Sequence, residues 1–209
     1  MPDSPKIRVL CVDDHPLVRD GIAFALQLQK DMDLVGQATT GEEAVSEFRR
    51  LHPDITLMDL QMPGMNGIAA IEAIRAESPR AKIIVLTTYS GDVQASRAFK
   101  AGACGYLLKN MLRTDLITTI REVHLGRKHI PPEIATSLAE HLGVDDLSSR
   151  ETEVLRSVAA GNSNKIVADD LSITEDTVKG HMKNIMAKLG ANDRTHAVLI
   201  AIKRGFLEG

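Results

Sequence analysis

The sequence predicts an α/β protein: a doubly wound, five-stranded parallel sheet, then a linker carrying one helix, then a small all-α domain. Three observations carry that prediction. Five short runs rich in Val, Ile and Leu, of the kind that fits a strand buried on both faces, occur at 7–12, 34–38, 55–58, 83–86 and 105–108. Each is followed by a longer amphipathic segment, and parallel neighbours need such crossover helices. Past residue 146 the alternation stops, and helical segments follow one another without a strand. A chain of 209 residues, 44% of them apolar, has material for one or two domains with hydrophobic cores, which excludes a disordered chain or a mini-protein.

Taken in order, Ile7 to Val12 leads into a helix that opens with Pro16 at its first position and runs to Gln29. Leu34 to Ala38 precedes a helix over Gly41 to Leu51, Ile55 to Met58 one over Gly67 to Ala76, and Ile83 to Leu86 one over Val93 to Ala101. Gly102 stops that helix before Gly105 to Leu108, and Thr114 to Leu125 closes the first domain, placed at 6–125. Residues 126–146 read as the linker: a Pro131-Pro132 break, then Ile134, Leu138 and Leu142 at helical spacing. Residues 147–209 hold the second domain, with helices over Arg150 to Ala160, Asn164 to Leu171, Glu175 to Leu189 and Asp193 to Lys203.

The 25 basic and 28 acidic residues give a formal charge of −3, too near balance to point to a nucleic-acid partner by composition. Divided at residue 146, the charge is −4 before and +1 after, a sign that suits DNA binding and a size that says little. Cys11 and Cys104 lie far apart with no metal-type spacing, and read as reduced thiols of a cytoplasmic protein. The apolar stretch Ala197 to Ile202 falls well short of the roughly 18 residues that a membrane span needs.

In doubly wound folds, ligands sit beyond the carboxyl ends of the strands. There the first strand ends in Asp13-Asp14, the third in Asp59, the fourth in Thr87 and the fifth in Lys109. Crowded carboxylates suit a hard cation, and Mg2+ fits Asp13 or Asp14 with Asp59 and the backbone carbonyl of Gln61. Taken singly, each residue has a plain alternative: an aspartate that punctuates a strand end, a β-branched strand residue, a lysine as charge partner. Together they suit phosphoryl transfer to a carboxylate. Asp59 is the nucleophile, Mg2+ and Lys109 stabilise charge on the phosphoryl oxygens, and the Thr87 hydroxyl hydrogen-bonds one of them.

The blocks DDHP at 13–16, LMDLQMPGMNG at 57–67, LTTYS at 86–90 and AGACGYLLK at 101–109 resemble the receiver domain of bacterial two-component response regulators. The resemblance covers about residues 6 to 125. It implies Asp59 as the phosphoacceptor of a sensor histidine kinase, Asp13 and Asp14 as magnesium ligands, and Thr87 with Tyr106 as a coupled switch pair. Gln61 and Tyr89 are similar to positions that tune dephosphorylation in that family. One departure is Asn110, where many receivers have a proline after the lysine in a cis peptide; a cis bond to Asn would cost about 3 kcal/mol and is not expected.

In the second domain, Ser148-Ser149-Arg150-Glu151 has capping-box spacing, and Thr174 is placed to cap the longest helix. Short helix, tight turn, longer helix is the helix-turn-helix plan. Val178, Met182, Ile185 and Leu189 share one apolar stripe, while Lys179, Gly180, Lys183 and Ala187 lie opposite, on a face that is either groove-seeking or simply solvated. Residues 147–198 resemble the LuxR-type helix-turn-helix of NarL/FixJ response regulators. By that resemblance Lys179, Gly180 and Lys183 contact the groove, and Lys165, Thr177 and His181 lie near the DNA backbone. Gly180 stands where the family often has a larger side chain. The stretch Ala197 to Ile202 is apolar on more than one face, leaving the second for a dimer contact or for the linker helix.

The expectation is therefore a transcription regulator, not an enzyme, switched by Mg2+-dependent phosphorylation of Asp59 and acting as a homodimer on double-stranded DNA, with no membrane partner. The alternative is a constitutive, phosphorylation-independent DNA binder. A phosphohydrolase of the haloacid-dehalogenase type is disfavoured, since such enzymes want a second Asp where this chain has Gln61.

Overall fold

The computed structural model describes residues 5–88, 91–141 and 146–207. The described residues fall into two compact units, the first built from residues up to Thr88 and from Ala95 to Ala135, the second mainly from Thr136 onward.

The first unit contains a parallel sheet of β1 (Ile7–Val12), β2 (Met32–Ala38), β3 (Ile55–Asp59), β4 (Ile83–Thr87) and β5 (Gly105–Leu108), in the order β2-β1-β3-β4-β5. Its helices are α1 (Pro16–Gln27), α2 (Gly41–Leu51), α3 (Gly67–Glu77), α4 (Asp92–Ala101) and α5 (Leu112–His124). Alternate strand positions feed two cores. Val9, Cys11, Ile55, Leu57, Ile84, Leu86 and Leu107 pack with Ile22 and Leu26 of α1 and Leu116, Ile120 and Val123 of α5. The opposite face buries Ala44, Val45 and Phe48 of α2 and Ala70, Ile71 and Ile74 of α3.

The chain leaves β1 toward β2 on one side and resumes with β3 on the other, so the crevice of the sheet opens between the ends of β1 and β3. Register pairs Val12 with Met58, Asp59 with Leu86, and Thr87 with Leu108. Asp13, Asp59, Thr87 and Lys109 are thereby brought to one edge.

Some boundaries differ from expectation. The second strand begins at Met32 rather than Leu34, because Met32 pairs with Ile7 and is buried while Asp33 between them turns outward. The fifth helix begins at Leu112 after a 3-10 turn over Lys109–Met111, which tightens the chain as it leaves the sheet. Among the described residues no peptide bond is cis, so the Lys109–Asn110 bond is trans.

The start of the linker lies against the sheet. The Tyr106 amide donates to the His129 carbonyl at 2.9 Å and the His129 amide to the Cys104 carbonyl at 3.2 Å, a single parallel bridge on the β5 edge. A helix α6 follows over Pro132–Glu140 with Ile134 buried; Leu142 lies outside the described residues.

The second unit contains α7 (Ser149–Ala159), α8 (Asn164–Leu171), α9 (Glu175–Leu189) and α10 (Arg194–Arg204). The full capping box forms: Glu151 N–H donates to Ser148 Oγ at 3.2 Å and Ser148 N–H to Glu151 Oε2 at 2.8 Å. Helix α8 ends on Ser172 in the left-handed region, φ 53°, and Thr174 Oγ1 then accepts from Thr177 N–H at 3.2 Å to cap α9. That three-residue turn sets the angle between the two helices. The core contains Val154, Leu155 and Val158 of α7, Val167 of α8, the α9 stripe Val178, Met182, Ile185 and Leu189, and Ala197 and Ala201 of α10. On α10 Leu199 is exposed, so its apolar surface does extend beyond the buried stripe. No described helix is long and apolar enough to cross a membrane.

Candidate functional site

At the carboxyl edge of the sheet, Asp13 is 0% exposed, Asp59 2% and Thr87 1%. Lys109, carried by the 3-10 turn after β5, points back so that Nζ lies 2.8 Å from Asp13 Oδ2 and 2.8 Å from Asp59 Oδ2. The second oxygen of each carboxylate faces the other way. Asp13 Oδ1 accepts from the His15 amide at 2.9 Å, and Asp59 Oδ1 from the Gln61 amide at 3.2 Å. The Gln61 backbone thus folds over the Asp59 carboxylate.

Burial raises the Asp59 pKa above the usual carboxylate range and the Asp13 charge adds to the rise, against the pull of Lys109. Burial by itself would lower Lys109, but its hydrogen bonds to Asp13 and Asp59 hold it above its ordinary value. The pocket is therefore short of positive charge with its ammonium already committed. Cys11, beneath it, is pushed up to about 12 by burial and then by Asp13, so it stays a thiol; neither Cys11 nor Cys104 is in a disulfide.

The donor set fits a divalent cation. Asp13, Asp14, His15 and Asp59 each offer a ligand atom, and those atoms lie within 4.8 Å of one another. Hard carboxylate oxygens at a half-open edge suit Mg2+, which takes one or two carboxylates and keeps several waters.

Thr87 and Tyr106 meet: their side chains share a hydrogen bond, and burial raises the Tyr106 hydroxyl pKa. The Tyr106 ring is fully buried, tilted against Phe99 of α4 with centroids 6.1 Å apart. Tyr89 lies outside the described residues.

Three contributors escaped the sequence reading. Arg19, one turn into α1, donates to the Asp13 carbonyl at 2.7 Å. His15 turns its ring to the aspartates, with Nδ1 2.7 Å from Asp14 Oδ1 and 3.2 Å from Asp13 Oδ1. Gly67 opens α3 against the loop that follows Asp59: a Cβ there would stand 1.9 Å from the Asp59 carbonyl oxygen. The DDHP and MNG blocks contained His15 and Gly67, and Arg19 follows the first block by three residues, but nothing in their spacing announces such close approaches.

In the second unit, Lys179, Gly180 and Lys183 of α9 are exposed opposite the buried stripe, and nothing lies within 4 Å of a Cβ built on Gly180. Lys179 is ion-paired with Asp176 one turn back at 2.8 Å. The Thr177 hydroxyl shares a 2.9 Å hydrogen bond with that of Thr174, and is thus tied to the helix cap. His181 is half-buried, and Lys165 is exposed on α8. The structure brings Lys179, Gly180 and Lys183 onto one face and leaves Lys165 on the neighbouring helix.

Comparison with known proteins matches both units. Residues 9–121 match the response regulator receiver domain, and residues 145–201 match the bacterial regulatory proteins of the luxR family. The chain is 35% identical over 215 residues to the transcriptional regulatory protein LnrK of Bacillus subtilis (strain 168), covering 95% of this chain and 98% of LnrK. Among solved structures, RcsB from Salmonella enterica serovar Typhimurium, bound to promoter P1flhDC in the presence of the phosphomimetic BeF3−, is 28% identical, with a TM-score of 0.72 over 93% of this chain and 97% of that one. A structure of two RcsB dimers bound to two parallel DNAs is 27% identical, with a TM-score of 0.69 over 95% of this chain and 98% of that one. The chain belongs to the response regulators that join a receiver domain to a LuxR-type DNA-binding domain.

Proposed function

We propose that Asp59 accepts a phosphoryl group from a sensor histidine kinase, and that this switches DNA binding by α9. The observation that carries the reading is Lys109 Nζ, 2.8 Å from both Asp13 and Asp59. One Asp59 oxygen attacks phosphorus as the bond to the kinase histidine nitrogen breaks, with the electron pair leaving on that nitrogen. Lys109 then offers its ammonium to the phosphoryl oxygens in place of the lost carboxylate charge. Asp13, Asp14, Asp59 and the Gln61 carbonyl would hold a magnesium ion, which would supply further positive charge to the transferring group.

The phosphoryl group adds acceptor oxygens beside Thr87. A Thr87 hydroxyl drawn to one of them gives up its bond to Tyr106, and the buried ring is released to a second arrangement. Because Tyr106 also bonds the linker through its backbone, that change reaches the chain leading to the second unit. Lys179, Gly180 and Lys183 enter the major groove, with Lys165, Thr177 and His181 near the DNA backbone. The protein works as a homodimer on a twofold site, a reading supported by the DNA-bound dimers of RcsB.

Molecular mass and DNA binding, measured together with Mg2+ and acetyl phosphate for wild type and Asp59→Asn, test this. One added phosphoryl group with dimerisation and tighter binding in wild type alone is the expected result. Equal DNA binding by both proteins, unmoved by the donor, makes the chain a constitutive regulator.

A further inference from the structure

We propose that His15 is a nitrogen ligand of the acidic pocket, making it a mixed oxygen and nitrogen site that takes a borderline transition ion such as Co2+ or Zn2+ in competition with Mg2+. The inference rests on the reading of that pocket as a cation site. Its first support is geometric. Two ligands each about 2.1 Å from an ion and at right angles sit about 3 Å apart. His15 Nδ1 is 2.7 Å from Asp14 Oδ1 and hydrogen-bonded to Asp13 Oδ1 at 3.2 Å, distances that match neighbouring ligands around one ion once the shared proton is displaced by the metal.

The second support is the division of the oxygens. Lys109 occupies Asp13 Oδ2 and Asp59 Oδ2, so the cation side of the pocket is left with Asp13 Oδ1, Asp14 Oδ1 and Asp59 Oδ1, and the imidazole faces the first two. The third is the position of His15 itself. It is the N-cap residue of α1, where Ser, Thr, Asp or Asn is preferred, yet its side chain makes no capping hydrogen bond. Pro16 at the first helical position instead holds the turn that presents the ring to the aspartates. The ring is 63% exposed, which leaves it free to coordinate without losing a buried contact.

Imidazole suits Co2+ and Zn2+ better than Mg2+, which binds oxygen and sheds water reluctantly. An all-oxygen pocket would rank these ions closer together. Adding one nitrogen widens the gap, so the metal that occupies the pocket depends on the local supply of transition ions and not only on the far more abundant Mg2+.

The test uses the full chain and two probes, Co2+ and Mg2+, titrated by calorimetry, with the visible absorption of Co2+ reporting nitrogen ligation. Seven histidines are present, so each titration is read as the difference between wild type and His15→Ala. The expected result is at least a tenfold fall in the ratio of Co2+ to Mg2+ affinity in His15→Ala, with loss of the nitrogen-dependent absorption, while Asp14→Asn weakens both ions. An unchanged ratio overturns the nitrogen ligand and leaves the magnesium reading standing. Binding of both ions that Asp14→Asn does not touch overturns the two together.

Discussion

Lys109 Nζ lies 2.8 Å from Asp59 Oδ2 although the two residues are 50 positions apart, Asp59 ending β3 and Lys109 following β5, with β4 between those strands. The contact exists because the 3-10 turn after β5 points the lysine back along the sheet edge. It holds two buried carboxylates together. Lys109→Ala is expected to destabilise the metal-free protein by about 3 kcal/mol, and to slow phosphoryl incorporation by about a hundredfold. Denaturant unfolding with and without Mg2+, beside incorporation from labelled acetyl phosphate, measures both; Mg2+ should restore part of the stability and none of the rate.

Tyr106 and Thr87 are joined by a hydrogen bond inside the fold. Tyr106→Phe keeps the ring in its pocket against Phe99 and removes that bond, at a cost of about 1 kcal/mol. Phosphoryl incorporation should stay at the wild-type level while the donor-induced gain in DNA affinity shrinks. A variant with the full gain removes Tyr106 from the switch.

Gly67 has no room for a side chain. Gly67→Ala must move either the start of α3 or the Asp59 carbonyl, and either shift strains the hydrogen bond that the Gly67 amide donates to the Leu60 carbonyl at 3.1 Å. Phosphoryl incorporation should fall at least tenfold, since a shift of about 1 Å at a reacting group costs that much or more. Gly180→Ala, in open space, is the control: it should preserve phosphorylation and raise the stability of α9 by up to about 1 kcal/mol.

On α9, Lys183→Ala is expected to weaken operator binding by about 1–3 kcal/mol if the lysine reads a base. If it meets a phosphate, the slope of affinity against salt drops by about one. Phosphorylation should match wild type. Lys179 is ion-paired with Asp176, so if it contacts DNA, Asp176→Asn should tighten non-specific binding. Operator affinities of Lys183→Ala equal to wild type would rule out its assigned role.

Glu151 links the cap of α7 to α9 through Lys188, Nζ to Oε2 2.8 Å. Burial pushes its pKa upward, but hydrogen bonds from Lys188 and Ser148 outweigh burial and hold it below its ordinary 4.5. A carboxylate depressed in the folded state contributes stability above its unfolded pKa and loses it as pH falls through the folded value. The hydrogen-exchange protection of the α7 amides, taken relative to the intrinsic exchange rate at each pH, should therefore fall below about pH 4.5 in wild type. Glu151→Gln should exchange faster at neutral pH, by about 1 kcal/mol, and respond less to acid.

Much of this was legible without coordinates. Doubly buried parallel strands read as unbroken apolar runs, and the chemistry of such a sheet gathers where strands end, so Asp13, Asp59, Thr87 and Lys109 declare themselves by position. The cap residues Ser148 and Thr174 are equally local, since each bonds an amide three residues on. Tyr106 needed the resemblance, because a buried aromatic in a strand looks the same whether or not its hydroxyl has a partner.

The sequence by itself determined which residues stand at the strand ends and which face of α9 is polar, because both follow from periods of two and 3.6 residues along one chain. Only the tertiary structure decided which oxygen of Asp13 faces Lys109 and which faces His15, that Arg19 reaches the Asp13 carbonyl, that Gly67 must be bare, and that His129 extends the β5 edge. Those relations join segments 6 to 96 residues apart or turn on a single rotamer, and they are set by how elements pack rather than by the order of residues within them.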